Sequence, residues 1–147
     1  MDLHRGVDYI GVTVCFVVHD GKGNILLQKR SKNTRDEQGT WDIGGGAVEF
    51  GETLDEAVRR EVEEELCVKP KKVEFMRAFE AHRDNNGTPT HWIALSHAVE
   101  IDPNGVKIGE QDRIDEFGWF NSAKLPSPLH SMFELSYSVA RERGIVK

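Results

Sequence analysis

Eight of the eleven side chains from Asp55 to Glu65 are charged, and five of them are glutamates. Acid at that density does chemistry when something positive gathers it. At about 100° per residue, with Glu61 set at zero, Leu54, Ala57, Val58, Val62 and Leu66 fall between about −40° and +140°, the stripe that faces a core. Glu61 lies within that stripe and Glu65 near +40°, while Glu64 sits near −60°, at its border. Glu56, Arg59, Arg60 and Glu63 occupy the opposite arc, where Glu56–Arg60 and Arg59–Glu63 are expected as surface i,i+4 pairs. Like charges three and four residues apart repel, more so when desolvated, and they either raise their pKa values or recruit cations. Hard divalent ions, Mg²⁺ or Mn²⁺, take oxygen ligands and suit such a cluster. Charge density alone also fits a solvated acidic helix end with no ligand. The inward arc favours the cation, as does the Gly44-Gly45-Gly46 run ahead of the helix. Glycine lets backbone approach a phosphate or offer a carbonyl to a metal, and the helix N-terminus favours anions.

These residues need a scaffold to hold them. Tyr9–His19 and Ile25–Arg30 are rich in β-branched and apolar residues and read as a strand hairpin across the turn Asp20–Asn24. Ser31–Thr40 reads as a polar loop and Trp41–Ile43 as a short strand before the glycines. Thr53 and Glu56 form a capping box that starts the acidic helix. Lys72–His82 and Thr90–Glu100 read as strands joined by the turn-forming Arg83–Pro89. A polar loop over Asp102–Asp115 and a short strand over Glu116–Phe120 follow. Ser127-Pro128 then reads as N-cap and first residue of a final helix from Leu129 to Arg143, stopped by Gly144. The order implies an α+β architecture, a mixed sheet packed between helices in an α/β/α sandwich, with residues 1–147 as a single domain.

The balance of 25 Asp+Glu against 19 Lys+Arg, a formal −6, argues against duplex nucleic acid as partner. It leaves room for phosphorylated small molecules, because a bound divalent ion inverts the local sign. Two cysteines, Cys15 in an apolar run and Cys67, make no disulfide framework. No apolar stretch approaches the ~20 residues of a membrane span, and Met1–Tyr9 carries no signal-peptide core. The expected setting is a reducing cytoplasm, with no membrane partner. Lys29 and Arg30 are candidates to meet phosphates, with Arg77 and Arg83 beside them. Trp41, Phe79, His82, His91 and Trp92 are candidates to stack on a base, set against the usual core role of large aromatics.

Gly46, five residues, Glu52, seven residues, then Arg60-Glu61-Val62-x-Glu64-Glu65-x-x-Val68 resembles the Nudix box, G-x5-E-x7-R-E-U-x-E-E-x-G-U. Two positions depart from the pattern. Cys67 replaces the late glycine, which implies an L-residue in a left-handed helix exit at a cost of roughly 1 kcal/mol. Gly44 replaces a proline common ahead of the box, which implies a more mobile entry. The resemblance implies a Nudix fold and Mg²⁺- or Mn²⁺-dependent hydrolysis of a nucleoside diphosphate linked to another moiety, of the ADP-ribose or nucleotide-sugar type. It implies Glu64 and Glu65 as leading metal ligands, the Gly45 carbonyl as a third, Glu61 as ligand or general base, and Arg60 and Glu52 as partners that orient them. Glu110 and Glu116 are the later candidates for general base, and Gly45, Gly46, Lys29 and Arg30 the candidates to contact the substrate. The partner implied is a small nucleotide-type substrate, with a homodimer among the assemblies the family forms. The same resemblance admits a nucleoside triphosphate pyrophosphohydrolase that cleanses the nucleotide pool, and a non-catalytic nucleotide-binding module.

Overall fold

A computed structural model describes residues 1–147. In chain order it contains β1 (Gly11–His19), β2 (Ile25–Arg30), β3 (Trp41–Asp42), β4 (Gly44–Ala47), α1 (Leu54–Leu66), β5 (Lys72–Asn85), β6 (Thr88–Glu100), a short 3-10 turn (Pro103–Gly105), β7 (Ile114–Phe120) and α2 (Phe133–Glu142). The strands form one mixed sheet whose main path is β3-β2-β1-β6-β5, with β4 paired to β1 and β7 to β2. The β1–β6 pair is parallel, and every other strand pair is antiparallel.

β1 is apolar on both faces because it lies between two layers. Val14, Phe16 and Val18 point to α1, where they meet Val58, Val62, Leu66 and Val99. Val17 points to the other face and packs with Ile25, Leu27, Phe133 and Tyr137 under α2. The period-2 alternation of a strand thus feeds two cores, and the expected α/β/α layering is present. No helix is long and apolar enough to cross a membrane.

Several boundaries differ from the sequence reading. Gly6–Tyr9 closes a turn, Gly6 N–H donating to Tyr9 C=O at 2.7 Å, so β1 starts at Gly11 rather than Tyr9. The glycines are themselves a strand: Gly44, Gly45 and Gly46 pair with Phe16, Cys15 and Val14. β5 and β6 run on to a two-residue turn, Asn86-Gly87, with φ of 53° and 89°, the positive values that tight hairpins require. The final helix starts at Phe133, not Leu129. The backbone on either side of Leu129 is taken by Trp41, whose N–H donates to Pro128 C=O and whose C=O accepts from His130 N–H, both at 2.9 Å. Ser127 therefore caps nothing.

Candidate active site

Thr53 starts α1 as expected: its hydroxyl accepts from Glu56 N–H at 3.1 Å, and Glu56 reaches back to Thr53 N–H. This fixes the helix phase and turns Glu61 and Glu65, 9% and 5% exposed, onto β4. The glycines make room for them. A Cβ on Gly46 would fall inside the Glu61 carboxyl, and one on Gly44 would strike the Phe16 ring and come within 2.9 Å of Glu65 Oε1. Gly44 is thus held in a strand, paired with Phe16 of β1. Glu65 Oε1 accepts from Gln28 Nε2 of β2 at 3.0 Å inside the core. Its other oxygen, Oε2, is buried with no hydrogen-bond partner.

Arg60 leaves the solvent arc assigned to it. It grips Glu52 with two bonds, Nε to Oε2 at 2.7 Å and Nη2 to Oε1 at 2.9 Å. It also donates to Ala47 C=O at 3.1 Å and to Glu61 Oε1 at 2.7 Å. The expected Glu56–Arg60 pair therefore does not form, because two inward carboxylates and a strand-end carbonyl outbid a surface contact. Arg59 pairs with Asp55 at 2.7 Å instead of Glu63. Fork-shaped Arg–carboxylate contacts are directional and strong, so Arg60 locks the end of β4, the loop at Glu52 and Glu61 to one another. Glu52 is held down at about 2 by that guanidinium.

The third carboxylate comes from a loop. The last carbonyls of a helix lack partners within it. Lys107 N–H donates to Leu66 C=O at 3.0 Å and Gly109 N–H to Glu65 C=O at 2.9 Å. Gly109 lies against the Glu64 carbonyl so closely that a Cβ there would overlap it. This docking delivers Glu110: ligand oxygens of Glu61, Glu65 and Glu110 lie within 4.8 Å of one another. Cys67 ends the helix in the left-handed conformation, φ 58°, as its place in the box implied.

The remaining sequence candidates divide. Glu64 is half exposed at the rim, its carboxylate 3.5 Å from Arg60. Glu116 is exposed on β7, paired across the sheet with Lys29, and is not brought to the cluster. Beside the cluster opens a cavity of about 570 Å³, lined among others by Gly45, Gly46, Glu65 and Glu110. Lys29, Arg30 and Arg83 also line it, and so do Arg35 and Arg113, two basic residues that no motif had singled out. Phe79 and Trp92 reach the cavity. Trp41 does not: it is buried edge-on to Phe120, 5.3 Å between centroids. His82 and His91 stack on each other elsewhere. Arg77 lies over the Phe79 ring at 5.9 Å. Cys15, expected in the core, lines the cavity with Sγ 3.7 Å from Ser136 Oγ, and burial pushes its thiol pKa up.

Burial raises the Glu61 carboxyl above the ordinary carboxylate range, against the pull of Arg60 and with the push of Glu64 and Glu110. Burial raises Glu65 much further, against Gln28, and Glu61 and Glu110 add to it. A cluster of this kind holds protons or a cation. The donor set is all oxygen, and the bare Glu65 Oε2 has no protein group to satisfy it, so the residues fit a hard divalent ion.

Similarity to known proteins agrees with the geometry. The chain is 34% identical over 125 residues to an ADP-ribose pyrophosphatase of Methanocaldococcus jannaschii, covering 84% of this chain and 66% of that protein. It is 27% identical over 123 residues to the NAD-capped RNA hydrolase NudC of Erwinia tasmaniensis, covering 80% of this chain and 42% of that protein. The chain thus spans about two thirds and under half of these two curated relatives. Among solved structures, a MutT NUDIX hydrolase from Burkholderia pseudomallei superposes with a TM-score of 0.78 at 28% identity, covering 89% of this chain and 98% of the other. The NUDIX domain of Shewanella oneidensis NrtR, solved with ADP ribose, shares the fold at TM-score 0.75 and 20% identity, covering 92% and 88%. The NUDIX domain model matches residues 10–140, the whole sheet with α1 and most of α2. On that match, and with the box residues Glu61 and Glu65 brought together in space, the chain belongs to the NUDIX family.

Proposed function

We propose that the protein hydrolyses the diphosphate of a nucleoside diphosphate joined to another moiety, of the ADP-ribose or nucleotide-sugar type, with Mg²⁺ or Mn²⁺. The observation that carries this reading is the cluster of buried Glu61 and Glu65 with half-buried Glu110 at the edge of a cavity bearing five basic side chains. Glu65 and Glu61 would hold the cation, with Glu64 at the rim and the Gly45 backbone beside them. When bound there, such an ion would supply positive charge and Lewis acidity toward the diphosphate.

The chain's own residues do the rest. Gln28 fixes Glu65 through Oε1 and leaves Oε2 free for a ligand. Arg60 and Glu52 hold Glu61 in place. The Glu110 carboxylate accepts the proton of the attacking water, as its position on a docked loop allows. The water oxygen bonds to phosphorus while one P–O anhydride bond breaks, giving a nucleoside monophosphate and a phosphorylated remainder. Lys29, Arg35 and Arg113 offer charge to the diphosphate, and Phe79 and Trp92 offer flat apolar surface to the base. The names of the two curated relatives point to the same substrate class.

A product analysis tests the reading. Incubated with ADP-ribose, nucleotide sugars and nucleoside triphosphates in Mg²⁺, the protein should release monophosphate plus a phosphorylated sugar from the linked diphosphates. Release of pyrophosphate from triphosphates, with linked diphosphates left intact, would replace this reading by nucleotide-pool cleansing. Tight binding with no turnover of any of them would make it a nucleotide-binding module.

A further inference from the structure

The geometry points to a second metal site on the face of the sheet turned away from the cavity, one that takes a zinc-class divalent ion on His82, His91 and Glu80. Phe79, Ala81 and Arg83 of β5 line the cavity. Strand alternation sends Glu80 and His82 to the opposite face, where His91 of β6 is the cross-strand partner of His82. The backbone makes that pair a close one. His91 N–H donates at 2.8 Å to Gly6 C=O, away from β5, so His82 and His91 form a non-hydrogen-bonded pair. In such pairs the side chains approach most nearly. The rings lie 4.0 Å apart between centroids and 33° from parallel.

The ligand atoms converge. Glu80 Oε1 is 3.8 Å from His82 Nε2 and 3.9 Å from His91 Nε2. The ligand atoms of all three residues lie within 4.8 Å of one another; ligands at about 2.0–2.1 Å from a tetrahedral zinc stand roughly 3.3 Å apart, so closure by at most about 1.5 Å completes the set. Glu80 and His82 are exposed and free to make that adjustment. His91 Nε2 supplies a separate sign: it is buried and has no hydrogen-bond partner. Two imidazoles and one carboxylate suit zinc and its neighbours, whereas Mg²⁺ prefers oxygen alone. Three protein ligands leave a fourth position open to solvent. The site shares no residue with the acidic cluster, so it stands or falls independently of the reaction proposed above.

The test is a Zn²⁺ titration of tag-free protein against a chromophoric chelator, in a large excess of Mg²⁺ to occupy the carboxylate cluster. One Zn²⁺ should bind per chain. His82→Gln and His91→Gln should each weaken binding by at least about tenfold, Glu80→Gln by less, and Glu65→Gln should leave it unchanged. With Co²⁺ in place of Zn²⁺, the visible bands of a low-coordinate nitrogen–oxygen site should appear and vanish in His91→Gln. Wild-type affinity in the His82→Gln, His91→Gln double variant would overturn the assignment. So would loss of Zn²⁺ binding in Glu65→Gln, or no binding by the wild-type chain.

Discussion

Glu65 has one oxygen fixed by Gln28 and the other bare and buried, and this asymmetry is what an orienting partner confers on a metal ligand. The helical period of the acidic stretch already turned Glu61 and Glu65 inward in the sequence. Gln28 was illegible there, because it lies 37 positions away on an ordinary strand and acts only across the core. The helical wheel also misplaced Arg60, which only the resemblance to the box set beside Glu52 and Glu61: the carbonyl of Ala47 and the Glu52 carboxylate that capture it arrive through folding. Asp42 is a further residue that no motif flagged. Burial raises its pKa to about 6, against the pull of His130. A carboxyl raised in the folded state keeps its proton there after the unfolded chain has lost it, so stability falls as pH rises from about 4 to 6. At Asp42 the loss amounts to about 3 kcal/mol at most. Asp42→Asn should remove that dependence and raise stability at pH 7.5 while changing little at pH 4. Denaturant titrations at the two pH values check this, and equal differences at both would contradict it.

At the scale of elements, the site is the contact of α1 with β4 and with the loop that ends at Glu110. The capping box and the apolar stripe made α1 legible to its last turn. The glycine strand was not legible, since glycine has no strand preference and β4 exists only because β1 offers it a partner. The choice of Glu110 over Glu116 was equally hidden. It depends on Lys107 and Gly109 meeting the bare carbonyls of α1, and a run of polar residues does not announce such docking. Two substitutions examine the contact. Gly46→Ala places a methyl inside the Glu61 carboxyl. It should cost about 1–3 kcal/mol of stability and weaken Mn²⁺ binding at least about tenfold, as read by thermal unfolding and metal titration. Unchanged Mn²⁺ affinity would show that Glu61 is not seated where the cation binds. Cys67→Gly relieves a left-handed L-residue at φ 58°. It should leave the melting temperature unchanged or raise it by up to about 3 °C, and a large loss of turnover would show that the helix exit does more than end the helix.

Over the whole molecule, both signs of charge converge on one cavity. The chain carries a formal −6, yet Lys29, Arg30, Arg35, Arg83 and Arg113 line one cavity with the carboxylate triad at its edge, and Asp36 of the same lining pairs with Arg30 and Arg83. Composition argued against a duplex-binding face but could not show this convergence, which comes from strands and loops far apart in sequence. An anionic diphosphate drawn to Lys29, Arg35 and Arg113 would meet the cation at the acidic edge, and the pairing gives both signs a task. The layered fold was legible from the order of strands and helices, and the β1–β6 parallel pair that welds its two halves was not. The central claim is that the buried carboxylates hold the ion that drives hydrolysis. Its most direct test compares ADP-ribose turnover in Mg²⁺ by the wild-type chain and by Glu65→Gln, with circular dichroism to confirm the fold. Wild-type protein should yield AMP and ribose 5-phosphate, and the variant should lose at least about a hundredfold in rate while keeping its spectrum. Equal turnover by the two proteins would contradict the claim.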